Sequence, residues 1–161
     1  MSSDRIIRRS ALLGLVALAG CGFTPALAPG APTLALRDSV AVTAPDTIPG
    51  FAIRSRLTDR LGRAASPRYA LAVSVDRALD AAALSQEGDT LRYNLVGAAG
   101  WTLTDASGAV LGAGEVESFT SYSATGSTVA TQAAATDALG RLMIILADRI
   151  VADMMLLDLS A

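Results

Sequence analysis

The chain of 161 residues contains no histidine, and its 13 basic residues are all arginine, with no lysine. Without histidine, Ser-His-Asp and Cys-His nucleophile pairs are excluded, as are His-based zinc sites. There is one cysteine, Cys21. It cannot make an internal disulfide or a Cys-rich metal centre, so no metal site and no diffusible cofactor is expected. Charge is also scarce, at 17% of residues and a formal net of −2. No basic patch of the kind that holds nucleic acid is visible, and no charge run is long enough to be an interaction tail. Only carboxylate, hydroxyl and arginine chemistry remains for catalysis. What the chain does have is apolar material, 52% of residues at a mean hydropathy of +0.44. That argues against a disordered chain, and the length suits one domain with one modest core.

The amino end has its own organisation. Arg5, Arg8 and Arg9 form a positive start, and Ala11 to Ala19 a short apolar run. Spanning ~30 Å of hydrocarbon takes about 20 apolar residues, so this run reads as an export signal rather than a membrane helix. Leu18-Ala19-Gly20-Cys21 then resembles the lipobox of bacterial lipoproteins. In that group the signal is cut before the cysteine, which carries a thioether-linked diacylglycerol and an N-acyl chain. A thiolate is the better nucleophile for such a modification. The resemblance implies residues 1–20 as signal, and Gly22, rather than Asp, implies sorting to the outer membrane. Arg8-Arg9 also raises twin-arginine export. One acyl chain binds a bilayer only marginally, at ~0.8 kcal/mol per buried methylene, so two or three chains are needed for a lasting anchor.

Residues 21–32 hold Pro25, Pro29, Gly30 and Pro32 and read as a lipidated flexible tether. Residues 33–161 read as a single domain. Thr33 to Ala44 places Leu34, Leu36, Val40 and Val42 at even positions, which predicts a first strand interrupted at Arg37-Asp38. Pro49-Gly50 opens a helix with Ile53, Leu57 and Leu61 on one face, and Gly62 ends it. Arg68 to Asp80 alternates as one half-buried strand. Leu91, Tyr93, Leu95, Trp101 and Leu103 share a parity in the next strand. Asp105-Ala106-Ser107-Gly108 is a hairpin turn into a strand from Ala109 to Tyr122. A helix from Thr128 to Leu157 carries the stripe Leu139, Leu142, Met143, Leu146, Ile150, Met154 and Leu157. Asp148, Arg149, Asp153 and Asp158 argue against a membrane span. Off the stripe lie Ile144, Ile145, Val151, Met155 and Leu156, expected to face a partner protein. The order β-α-β-β-β-α predicts an α+β two-layer sandwich, with two helices on one face of a mostly antiparallel four-stranded sheet.

These pieces resemble the LptE family, the lipopolysaccharide-assembly lipoproteins of Gram-negative outer membranes. The resemblance rests on Cys21-Gly22-Phe23-Thr24-Pro25, on "RSRLTDRLG", and on "RYNLVGAAGWTLTDASGAVL". It extends to Ser118-Phe119-Thr120-Ser121-Tyr122 and to Asp137-Ala138, Arg141, Leu146-Ala147 and Ile150 in the last helix. It implies a non-enzymatic plug in the LptD β-barrel, lipid-anchored at the periplasmic face of the outer membrane. Such a plug supports barrel assembly and the delivery of lipopolysaccharide to the outer leaflet. The family's basic lipopolysaccharide contacts do not carry over. The matching regions here, Ser85-Gln86-Glu87-Gly88-Asp89 and Ser127-Thr128-Val129-Ala130, hold no arginine, and an acidic loop repels an anionic lipid. Arg92 is the one candidate for phosphate pairing. Two other readings stand beside this one. The first is an accessory lipoprotein of an envelope lipid-transport ABC system. The second is a small hydrolase using Asp76 and Asp80, or Glu115 and Glu117, for which no pocket signature is present.

Overall fold

The computed structural model describes residues 32–84, 86 and 90–159. The signal and the tether up to residue 31, Cys21 included, lie outside the described residues, as do Ser85 and Glu87-Gly88-Asp89. The element order is α1 (Pro32–Leu36), β1 (Val40–Thr43), α2 (Ile48–Leu61), β2 (Tyr69–Val73), β3 (Asp76–Leu84), β4 (Thr90–Asp105), β5 (Val110–Ser123) and α3 (Thr128–Met154). The architecture is the expected α+β sandwich, with the helical layer on one face of a mixed sheet.

β4 is the spine of that sheet. One of its edges pairs antiparallel with β5, from Arg92 opposite Ser123 to Thr104 opposite Val110. Its other edge takes β2 near one end and β3 near the other, both antiparallel. β1 adds beyond β2 in parallel, which the crossover through α2 makes possible. The sheet therefore has five strands where the sequence predicts four. The difference is a pause at Ser74-Val75. Val73 faces Trp101 and Asp76 faces Ala98, so the register does not shift. Ser74 N still donates to Gly100 O at 2.9 Å. The single alternating strand is thus present, interrupted but in one parity.

The first expected strand needs a larger correction. Residues Pro32–Leu36 are a short helix, and only Val40–Thr43 is strand. Asp38 turns the chain between them at φ 53°, a left-handed conformation that Asp tolerates. Its amide donates to Leu61 O at 2.7 Å. The turn places Leu36 in the core beside Leu61. Arg68 ties this segment to β2 through a bond to Ala35 O at 3.1 Å.

α2 forms as expected and starts on a cap. Thr47 Oγ1 accepts from Gly50 N at 3.2 Å, satisfying one orphan amide of the first turn. Gly62 ends the helix at φ 83°, and its amide donates to Thr58 O. The β4–β5 turn is pinned by Asp105. Its Oδ1 accepts from Ser107 N (2.8 Å), Ser107 Oγ (2.7 Å) and Ala109 N (3.0 Å). The core lies between Ile53 and Leu57 of α2, the stripe of α3, and Leu71, Leu95, Ala99, Trp101 and Leu103 of the sheet. α3 closes down on the sheet at Gly97, where a Cβ would stand 2.8 Å from Leu142 Cδ2. By length and composition α3 could cross a membrane. Here its apolar side is taken up by the sheet and by α2.

Candidate functional site

The described residues offer surfaces rather than an enclosed site. The first is the outer side of α3. Leu142, Met143, Leu146, Ile150 and Met154 are buried as the stripe predicts. Ala138, Ala147 and Val151 are buried with them. The buried arc is wide because α3 packs on two neighbours, the sheet on one side and α2 on the other. This divides the five residues expected to face a partner. Val151 is 2% exposed and belongs to the core, so its expected outward role is corrected. It lies beside Leu36, Leu61 and Met155 at a cavity of about 170 Å³. Ile145 and Met155 are half-buried. Ile144, 45% exposed, and Leu156, 85% exposed, remain on the outside.

The α2–α3 seam is closed by charge. Asp148 accepts from Arg56 Nε on Oδ1 at 3.1 Å and from Arg56 Nη2 on Oδ2 at 2.8 Å, and Arg60 Nε stands 3.4 Å from the same Oδ1. A bidentate fork of this kind fixes geometry as well as sign. The hydrogen bond to Asp148 raises the Arg56 pKa further above its ordinary value, against some desolvation. Sequence reading placed Asp148 as a polar interruption of the helix and missed its partners. The signal lay in the distant "RSRLTDR" segment, where Arg56 and Arg60 are one helical turn apart.

The second surface is the sheet face away from the helices. The even residues of β4 from Arg92 to Thr104 line it. Their register partners join them: Ala70 and Ala72, Asp76, Ala78 and Asp80, and the odd residues of β5. Most of these side chains are Ala, Gly, Ser or Thr. Phe119 stands out of this flat ground, 63% exposed and opposite Val96. Arg92 is exposed on the same face, opposite Ser123. Asp76, Asp80, Glu115 and Glu117 are all exposed there. Among the described residues no group of His, Cys, Asp and Glu could hold a metal ion. Trp101 Nε1 is a buried donor without a partner among the described residues. It is pressed against Gly114, where a Cβ would come within 3.1 Å.

The edges of the sheet are treated differently from one another. On β5, Arg141 donates to Ser121 O and Arg149 to Glu117 O, so two arginines of α3 cover carbonyls of that strand. β3 is irregular beyond Ala81 and carries Asp76, Arg77 and Asp80. β1 has neither device.

The comparisons with known proteins agree with this architecture. A lipoprotein from Caulobacter crescentus CB15 superposes with a TM-score of 0.65 at 24% identity, over 79% of this chain and 96% of that one. The rare lipoprotein B from Shewanella oneidensis gives 0.56 at 15% identity, over 72% and 91%. Lipoprotein B from Nitrosomonas europaea gives 0.54 at 17%, over 70% and 79%. At these identities the likeness establishes the fold. No curated protein matches the chain. The lipopolysaccharide-assembly family LptE matches residues 37–154, from the turn before β1 to the end of α3. The chain therefore belongs to the LptE family of lipopolysaccharide-assembly lipoproteins.

Proposed function

We infer that this protein is the non-catalytic companion of an LptD-type outer-membrane β-barrel. Acylated Cys21 holds it at the periplasmic face of the outer membrane. Its body supports barrel assembly and takes part in delivering lipopolysaccharide to the outer leaflet. Family membership over residues 37–154 carries this reading. The second sheet face supports it. A layer of small side chains with a projecting Phe119 and no covering layer of its own suits enclosure by another wall. Ile144, Leu156 and the exposed flank of α3 are the other surfaces such a wall would meet. Arg92 is the described cation on the open face that could pair a phosphate. The acidic pairs belong to the same contact surface and do no chemistry.

Affinity purification from detergent-solubilised envelopes is expected to bring down one dominant protein of barrel size, and depletion to reduce correctly assembled barrel. Recovery of an inner-membrane ABC transporter instead, with barrels intact, overturns the assignment. Cys21→Ser is expected to leave the signal uncut and the chain outside the outer-membrane fraction. Normal maturation of that variant removes the anchor from the reading.

A further inference from the structure

We propose that the free edge of β1, with the face of α2 beside it, is a groove that takes one extended, acidic segment of a partner protein as an additional strand of the sheet. The proposal does not rest on the barrel assignment, because it follows from the treatment of the sheet's edges.

An edge strand exposes a row of unpaired amides and carbonyls, and folded proteins blunt such rows with charge, bulges, covering groups or short length; of these β1 has only the last. β5 is covered by Arg141 and Arg149, and β3 is bulged and charged. β1 is four residues long and paired on one side only. Ser39 O accepts from Tyr69 N at 3.1 Å. In a parallel ladder the bonding direction alternates along the strand, so Val40 and Val42 turn their N–H and C=O groups to the open side.

Next to that edge is a groove of about 510 Å³, whose lining includes Val40, Val42, Phe51, Arg54, Ser55, Thr58 and Arg63. The α2 residues recur at three and four positions, so they form one stripe along the helix. Ser55 and Thr58 are short and leave room. Phe51 is 65% exposed, and the Arg54 guanidinium lies 5.7 Å from its ring centroid. A strand edge beside a helix offers the two elements that strand-addition sites use: backbone pairing for affinity and side-chain seats for selectivity.

Charge selects the occupant. Arg54 and Arg63 take part in none of the ion pairs among the described residues, and Asp59 is the groove's one acid. Arg54 lies on α2 and Arg63 just beyond its end at Gly62, and both line the groove. An extended occupant that carries acids flanking a small apolar residue therefore matches the groove's charge and lining.

The test uses the chain from residue 22 onward and the peptide acetyl-Asp-Thr-Val-Thr-Asp-amide, followed by amide exchange and chemical shifts. Added peptide is expected to protect the Val40 and Val42 amides, with the β3 and β5 edges unchanged. The Lys-for-Asp peptide is expected to bind about tenfold more weakly. Ser55→Trp fills the groove from an exposed helix position without touching the core. It is expected to abolish protection while the circular dichroism and melting midpoint stay as in the parent. No protection at millimolar peptide overturns the proposal, as does equal protection of all three edges or equal binding of the Lys peptide. Concentration-dependent protection without peptide, with dimers in sedimentation, assigns the groove to a second copy. Concentration-independent protection without peptide that is lost on deleting residues 22–31 assigns it to the tether. Either result overturns the partner reading.

Discussion

Two glycines inside helices should respond to alanine with opposite sign. Gly140 lies in the middle of α3, and a Cβ built there meets nothing within 4 Å. Alanine at that position gains the ordinary helix preference, about 1 kcal/mol. Gly50 lies in the first turn of α2, where a Cβ would stand 2.0 Å from the Pro45 carbonyl oxygen and 2.9 Å from its carbon. That obstacle is backbone, and it is held. Pro45 O accepts from Thr47 N at 2.9 Å, and Thr47 in turn caps the helix through Gly50 N. Relieving the contact means moving the turn, which costs about 2 kcal/mol as overpacking. Loosening the cap costs about 1 kcal/mol more. Against a helix gain of about 1 kcal/mol, Gly50→Ala is left about 2 kcal/mol less stable. For a domain of this size 1 kcal/mol moves the melting midpoint by about 3 °C. Gly140→Ala should therefore rise by about 3 °C and Gly50→Ala fall by about 6 °C. Thermal and urea unfolding of the chain from residue 22 onward reads both. A rise for Gly50→Ala would refute the steric reasoning, since only propensity would then be acting.

Three further outcomes follow from other contacts. Asp148→Asn should destabilise the domain, and a double-mutant cycle with Arg56→Leu by urea unfolding should show strong coupling; additivity would mean that the fork does not join α2 to α3. Hydrogen bonds from Ser107 Oγ, then Ala109 N and the other turn amides, hold Asp105 below the ordinary carboxylate range. A depressed carboxyl stabilises above its unfolded pKa and loses that contribution as pH falls through the folded one. Asp105→Asn should thus shrink the loss of stability measured between about pH 5 and pH 2, and an unchanged acid limb would refute the turn's role. Thr120 Oγ1 donates to Ala138 O at 2.9 Å in a buried site, so Thr120→Val should cost about 1 kcal/mol in urea unfolding, and a neutral result would show that the bond adds nothing.

Periodicity makes the central elements legible in the sequence. Ile53, Leu57 and Leu61 recur at one helical spacing and are all buried. The parity of Leu95, Trp101 and Leu103 gives the covered face of β4, and the Asp-x-Ser-Gly turn gives the hairpin. Pro32–Leu36 was not legible because five residues are too few to separate period 2 from a helical turn. Leu34 and Leu36 satisfy a strand pattern, while the left-handed Asp38 that decides the matter leaves no mark in hydropathy. The burial of Val151 was hidden for a different reason. A stripe drawn on one helix cannot show that a second helix lies along its flank, and the Arg56–Asp148 fork that records this joins residues 92 positions apart. The β1 groove was invisible on the same ground, since its wall and its floor come from separate segments. The lipid anchor proposed at Cys21 rests on the lipobox-like Leu18-Ala19-Gly20-Cys21, outside the described residues.

The helices stop short of the far end of the sheet. All nine residues of β3 are exposed, and past Leu95 the stacked rings of Tyr93 and Tyr122, 5.4 Å apart, stand over strands that the helices no longer cover. Opening free energy follows buried contact, so this ribbon can come apart and close again while the other half keeps its shape. The molecule thus carries a firm half and a yielding half on one continuous strand. A surface pressed against the yielding half can reshape it without first having to melt the remainder.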